Sequence, residues 1–236
     1  MSELILVRHG QASFGADSYD KLSETGMRQV VILADHLQGL DEQFDALYSG
    51  DLLRQKETAE ALLPLVQPAS SEWQVDSAFN EYESDPLISS YLREYGPREG
   101  FEVESREQLN DRRLFQKIFE AATAKWIEGR LNPDASDAGF EPWSDFQERV
   151  HGAVDKLMQR HQGGSRVLIS TSGGVIALAL QRVLDLPDNQ TIATNWMVNN
   201  SSITRIRYGG GRASLSQFNS LTHLENVRHR ELITYR

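Results

Sequence analysis

The stretch that most constrains this chain lies near its start, where Leu4-Ile5-Leu6-Val7 runs straight into Arg8-His9-Gly10. A short apolar run closed by glycine reads as a buried strand, with the next residues standing at its carboxyl end. In an open α/β sheet that end faces the ligand crevice. An imidazole able to act as nucleophile, set beside a guanidinium, points to chemistry on an anion, above all a phosphoryl group. The same tripeptide would also suit a solvated loop entrance, so the other motifs must decide.

The 236 residues suffice for one α/β domain carrying a sizeable insertion, with a substantial core. A formal charge of −10, from 34 acidic and 24 basic residues, repels nucleic acid and anionic membranes, so neither is an expected partner. Phosphate would have to be met by a local cluster of Arg and His. The absence of cysteine excludes disulfides, thiolate metal sites and a cysteine nucleophile, and suits a reducing cytoplasm. The first residues lack the basic segment and apolar length of a signal peptide, and no apolar stretch could span a bilayer. The expectation is a soluble, cytoplasmic protein.

Along the chain, Val30, Leu33, Ala34 and Leu37 recur at helical spacing up to Gln38-Gly39. Residues 44–48 predict a second strand, and Asp51 is the expected N-cap of a helix that Pro64 stops. Residues 73–79 alternate apolar and polar and predict a strand, with Asn80-Glu81 at its far end. Between Tyr82 and about Pro142 two helical stretches, around 87–95 and 107–127, have no clear strand between them. That region, 82–142, is expected to be a helical cap inserted into a single domain, with Phe115, Phe119 and Trp126 as packing residues. A helix over 143–162, a strand over 166–171, the turn Ser172-Gly173-Gly174 and an apolar helix over 175–184 follow. Strand, small-residue turn and helix form the βα unit of a parallel sheet. Residues 202–208 and 212–218 flank Gly209-Gly210-Gly211 and predict a hairpin. The expected fold is a three-layer α/β/α sandwich with a mostly parallel central sheet and a helical insertion.

Two further stretches agree with Arg8-His9. Arg54 stands at the start of a helix just past a strand, where free N–H groups and the helix dipole favour anions and a guanidinium adds a fork matched to phosphate oxygens. In Ser170-Thr171-Ser172-Gly173-Gly174 another strand end meets a helix start, and the glycines allow a ligand close to the backbone. Neither a His-x-x-x-His pattern nor a paired-carboxylate spacing occurs, so no metal is expected, nor any other cofactor.

Leu6-Val7-Arg8-His9-Gly10-Gln11, then Leu22-Ser23 with Gly26, then Tyr48-Ser49 with Asp51, Leu52, Arg54, Thr58 and Ala59, resembles the histidine phosphatase superfamily, the phosphoglycerate-mutase-like proteins. The likeness continues through Glu81, residues 169–176, Asn200 to Thr204, Phe218-Asn219 and His223-Leu224, and so covers nearly the whole chain outside the insertion. The resemblance implies that His9 accepts the phosphoryl group as phosphohistidine, which splits the transfer into two displacements. It implies that Arg8 and Arg54 clamp the phosphate and that Glu81 protonates the leaving oxygen and later activates water. Gln11 falls where the family often has Glu, Gln or Asn, and is expected to support the phosphate site from behind.

This chain departs from the family in two places. The family's second histidine normally precedes Gly-Gly, and here Ser172 stands in its place. A hydroxyl can donate one hydrogen bond but cannot carry positive charge. Either another histidine fills the same space, His223 being the candidate, or Ser172 with the Gly173 and Gly174 amides forms a neutral cradle. The other histidines (His36, His151, His161, His229) read as surface groups. Gly15 stands where many mutases carry an asparagine that contacts phosphate, which counts against a glycolytic mutase. Three readings follow: a metal-independent phosphohydrolase acting through His9 on a small phosphorylated compound, a phosphoglycerate-type mutase, and a phosphate-ligand-binding protein without turnover.

Overall fold

Leu4, Ile5, Leu6 and Val7 form the middle of β1 (Ser2–Arg8) and are fully buried in the computed structural model, which describes residues 1–13, 20–68, 73–101, 103, 108, 109 and 111–235. β1 is an inner strand of a six-stranded sheet ordered β3-β2-β4-β1-β5-β6. The other strands are β2 (Ala46–Ser49), β3 (Trp73–Val75), β4 (Arg166–Thr171), β5 (Ile203–Gly209) and β6 (Arg212–Ser220). β3, β2, β4 and β1 pair in parallel, whereas β5 is antiparallel to both of its neighbours. One strand therefore opposes the other five, and the sheet is mostly parallel. At the β5–β6 turn Gly209, Gly210 and Gly211 all take positive φ, which side-chain-bearing residues rarely adopt.

Register sets the site. Arg8 lies opposite Thr171, and Ser170 lies opposite Ser49, so β1, β4 and β2 end level with one another. The residues that follow these strands therefore emerge side by side at the carboxyl end of the sheet.

Helices α1 (Glu24–Gly39) and α2 (Leu53–Leu62) bury Val30, Leu33, Leu37, Ala59 and Leu62. Leu33, Leu37 and Leu62 join Ile5, Val7, Leu47 and Leu168 of the sheet in one core cluster. Each such side chain contributes roughly 2 kcal/mol by leaving water. α7 (Gly173–Leu184) is buried from Gly173 to Gln181, as its apolar sequence requires. α8 (Asp188–Met197), which the sequence reading left out, buries only Thr191 and Ile192.

Several expected boundaries shift, among them the start of the helix expected around 107–127, which begins at Arg112, and two of the shifts come from where a carboxylate bonds. The strand expected over 73–79 stops at Val75, because Asp76 accepts the Ala78 N–H at 2.9 Å and turns 77–79 into a short 3₁₀ helix. Asp51 is not the cap of α2: its carboxylate accepts from the Asn80 side chain at 2.5 Å, and Leu52 holds the N-cap position. The acceptor for the Leu53 N–H is instead Asp20 Oδ2, at 2.8 Å.

The chain divides into two compact units, Met1–Glu81 with Val150–Arg236, and Tyr82–Arg149. The second unit holds α3 (Ser84–Glu94), α4 (Gly96–Glu99), α5 (Arg112–Ile127) and the start of α6 (Trp143–Arg160). Trp126 is its centre, with the rings of Tyr82, Trp143 and Phe146 at 4.6, 4.9 and 5.9 Å and its indole N–H donating to the Glu141 carbonyl. Phe119 is buried as well, and Phe115 stacks on it. Among the described residues no helix is long and apolar enough to cross a membrane.

Candidate active site

His9 follows directly on β1 and extends its ladder, its backbone N–H donating to the Thr171 carbonyl at 2.8 Å. The ring is buried, and its Nδ1 lies 2.6 Å from the Gly10 carbonyl. A carbonyl can only accept, so Nδ1 carries the proton and Nε2 presents its lone pair. Arg54 Nε–H donates to that Nε2 at 3.2 Å. Burial first, then the charges of Arg54 and Arg8, hold the imidazole well below its ordinary value of 6.5, against the opposing pull of the Gly10 bond. At neutral pH His9 is a neutral imidazole whose basic nitrogen is turned toward a guanidinium.

The start of α2 is built to hold that guanidinium. The Arg54 backbone N–H donates to the Asp20 carbonyl at 2.7 Å, and Arg54 Nη1 pairs with the Asp20 carboxylate at 2.5 Å. One turn on, the Thr58 hydroxyl donates to the Arg54 carbonyl at 2.8 Å and accepts the Gly10 N–H at 3.1 Å. The Arg-x-x-x-Thr spacing thus ties the helix start to the loop that carries His9. Gly10 itself has no room for a side chain, since a Cβ there would fall 2.6 Å from the Gly26 carbonyl oxygen at the head of α1.

Arg8, the last residue of β1, donates from Nη1 to the carbonyls of Val198 and Tyr235. Ser172 occupies the N-cap position of α7 but makes no capping bond, and its Oγ accepts from Gln55 Nε2 at 2.8 Å. Gly173 packs so tightly that a Cβ would stand 2.5 Å from Asn195 Oδ1. The Gly174 N–H donates to Glu81 Oε2 at 2.9 Å, which fixes that carboxyl group at the start of α7. The described geometry therefore joins His9 and Arg54 directly, sets Arg8 near enough for its charge to act on His9, and places Ser172, Gly173 and Glu81 together at the start of α7.

The side-chain contacts described for Gln11 and His223 run to other partners. The Gln11 side-chain oxygen accepts from Ser23, the N-cap of α1, at 3.0 Å, and its backbone N–H donates to Gln29 at 2.8 Å. It braces the loop after β1 against α1. His223 is buried, with Nε2 2.9 Å from Ser201 Oγ, and the Ser201 N–H in turn donates to the Arg8 and His9 carbonyls at 3.0 and 3.3 Å. Burial, assisted by His36 and His229, pushes its value down to about 4, so it is uncharged and cannot supply the missing imidazolium. The side chain bonded to Ser172 is Gln55. Gly15 lies outside the described residues.

The sequence profile of the histidine phosphatase superfamily (branch 1) matches residues 4–87 and 92–221. The chain belongs to this family. It is 24% identical over 234 residues to a metal-independent phosphoserine phosphatase of Arabidopsis thaliana, covering 96% of this chain and 85% of that protein. It is 26% identical over 199 residues to a 2,3-bisphosphoglycerate-dependent phosphoglycerate mutase of Methylorubrum populi, covering 81% and 82% of the two chains. The crystal structure of Entamoeba histolytica phosphoserine phosphatase in complex with 3-phosphoglyceric acid shares its fold, with a TM-score of 0.64 and 19% identity over 95% of this chain and 100% of that one.

The chain is thus an enzyme of the histidine phosphatase type. Several of its supporting residues escaped sequence reading. Asp20 lies 34 residues from Arg54 and has no local spacing to betray the pair. Gln29 donates to the Leu232 carbonyl at 2.6 Å and the Thr234 hydroxyl at 2.9 Å, drawing the C-terminal segment in beside the loop after β1. Gln55 did leave a signal: with Ala59 and Leu62 it occupies one buried face of α2, where a polar residue needs a partner.

Proposed function

We propose that this histidine phosphatase is a metal-independent phosphohydrolase that carries the phosphoryl group of a small phosphorylated compound on His9. The observation that carries this reading is the His9 imidazole, kept neutral, with its proton on Nδ1 toward Gly10 and its Nε2 lone pair facing the Arg54 guanidinium. In the first displacement the Nε2 lone pair forms a bond to phosphorus as the ester P–O bond breaks, and Glu81 gives its proton to the departing oxygen. In the second, water attacks phosphorus while Glu81 takes its proton, the N–P bond breaks, and the electron pair returns to Nε2. Arg8 and Arg54 offset the charge on the non-bridging oxygens, and Ser172 with the Gly173 N–H adds neutral donors.

The Arabidopsis relative and the Entamoeba complex make phosphoserine and phosphoglycerate the first esters to try. The mutase relative keeps a second reading open, in which the phosphoenzyme returns its phosphoryl group to an acceptor rather than to water. The test is incubation of the pure protein with p-nitrophenyl phosphate, phosphoserine and phosphoglycerates in the presence of chelator. Release of phosphate that His9→Ala abolishes is the expected result. Interconversion of phosphoglycerates without phosphate release would replace the hydrolase by the mutase. Phosphate binding without turnover of any ester would leave only a binding protein.

A further inference from the structure

We propose that Gln55 is a positioning residue that fixes the Ser172 hydroxyl as a hydrogen-bond donor to the transferring phosphoryl group, an inference that rests on the phosphohydrolase reading above. Gln55 follows Arg54 on α2 and is fully buried. Its Nε2 donates twice, to the Phe79 carbonyl at 3.0 Å and to Ser172 Oγ at 2.8 Å. Because the Phe79 carbonyl can only accept, the nitrogen end of the amide has to face it, and the orientation of the amide follows. Both amide hydrogens are then committed, and Ser172 Oγ receives one of them. The hydroxyl's own proton must point elsewhere.

The surroundings leave that proton few destinations. Gln55 Oε1 is buried without a hydrogen-bond partner, so it does not accept from Ser172. It rests against Gly50, where any Cβ would collide with it. The two preceding hydroxyls are also committed: Ser170 donates to the Gln55 carbonyl at 2.8 Å and Thr171 to the Phe79 carbonyl at 2.7 Å. Thr171 is the residue whose carbonyl accepts the His9 N–H, so Ser172 leaves the sheet immediately beside His9. An unpaired buried oxygen is destabilising, and an apolar residue at position 55 would avoid that cost. Such local costs are characteristic of functional sites. One turn of helix thus provides the Arg54 guanidinium and, through the next residue, the direction of a neutral donor at the position of the family's second histidine. Gln55 also occupies the space beside Ser172, so Ser172→His alone finds an amide in its way.

A double-mutant cycle tests the coupling, using the full chain and variants Gln55→Leu, Ser172→Ala and the pair, with Gln55→Met as a second apolar replacement. Two readouts are taken: hydrolysis of p-nitrophenyl phosphate and displacement by orthovanadate followed as a thermal shift. Each single change is expected to lower kcat about tenfold with KM little altered, and the double variant to be no slower than Ser172→Ala. Vanadate affinity should fall in the same non-additive way. Losses that multiply in the double variant, or wild-type kcat and vanadate affinity in Gln55→Leu and Gln55→Met, would overturn the proposal. If the wild type hydrolyses no ester, the phosphohydrolase reading fails by itself, and the vanadate cycle still decides whether Gln55 acts through Ser172.

Discussion

Arg54 Nε–H points at His9 Nε2 from 3.2 Å, and the same guanidinium is held at 2.5 Å by the Asp20 carboxylate. Carboxylate, guanidinium and imidazole form a line in which each group sets the orientation of the next. Asp20 also accepts the Leu53 N–H and, through its carbonyl, the Arg54 N–H, so it holds the helix start together with the arginine. Replacing Asp20 should therefore affect chemistry and helix at once, and the two can be separated. Asp20→Asn keeps an acceptor for Leu53 but loses the charge; its kcat/KM should fall roughly tenfold with little change in melting temperature. Asp20→Ala should lose comparable activity and in addition about 1 kcal/mol of stability, the usual cost of a lost cap. Full activity in Asp20→Asn would show that Arg54 needs no such support.

The depressed value of His9 has a kinetic signature. Burial, then Arg54, then Arg8 disfavour the imidazolium, so the ring proposed as nucleophile stays unprotonated below its ordinary 6.5. The acid limb of kcat/KM should accordingly lie below pH 6.5. Arg54→Gln removes the charge with the greater effect on His9, and its limb should move upward toward 6.5 as the overall rate falls. Comparison of the two profiles on one substrate cancels the titration of the phosphate ester. An unmoved limb would mean that the titrating group is not His9.

What the sequence disclosed, and what it hid, follows from the range of each interaction. β1 and β4 are continuous apolar runs because both faces are covered, and that pattern is local. Arg8, His9, Ser172 and Gly173 were legible for the same reason, since strand ends carry short motifs. α8 was not, because with Thr191 and Ile192 as its buried residues it has no apolar stripe to detect. Long-range partners were beyond reach: Gln55 and Ser172 are 117 residues apart in the chain, and nothing in either segment announces the other. Histidines read as surface groups are drawn inward by such partners, as where His161 Nε2 lies 2.9 Å from the Tyr48 hydroxyl and burial lowers its value.

His223 should make stability depend on pH. Its folded value of about 4 lies below the ordinary 6.5, so the unfolded chain binds more protons between those limits. Stability is then fully present above pH 6.5, declines as pH falls toward 4, and has no further contribution from this group below that. The span corresponds to about 3 kcal/mol. Urea titrations at pH 7 and pH 4.5 should show the difference shrink in His223→Gln, whose amide can still reach Ser201. An equal drop in both proteins would assign the pH dependence to other groups.

The proton-donor role proposed for Glu81 can be separated from binding. Its Oε2 accepts the Gly174 N–H at 2.9 Å, a bond that the amide oxygen of Glu81→Gln can keep, so the fold and the α7 terminus should be preserved. What the amide cannot do is give a proton to a departing alkoxide, a contribution on the order of 10²–10⁴ in rate. Turnover by Glu81→Gln of an alkyl phosphate ester that the wild type hydrolyses should therefore drop at least about 10²-fold. Nitrophenolate leaves without a proton, so the first displacement on p-nitrophenyl phosphate should be far less affected, and burst-phase measurement isolates it from the hydrolysis that follows. Equal losses in the burst rate for both esters would remove Glu81 from the leaving oxygen and reduce it to a brace for the helix that begins beside Ser172.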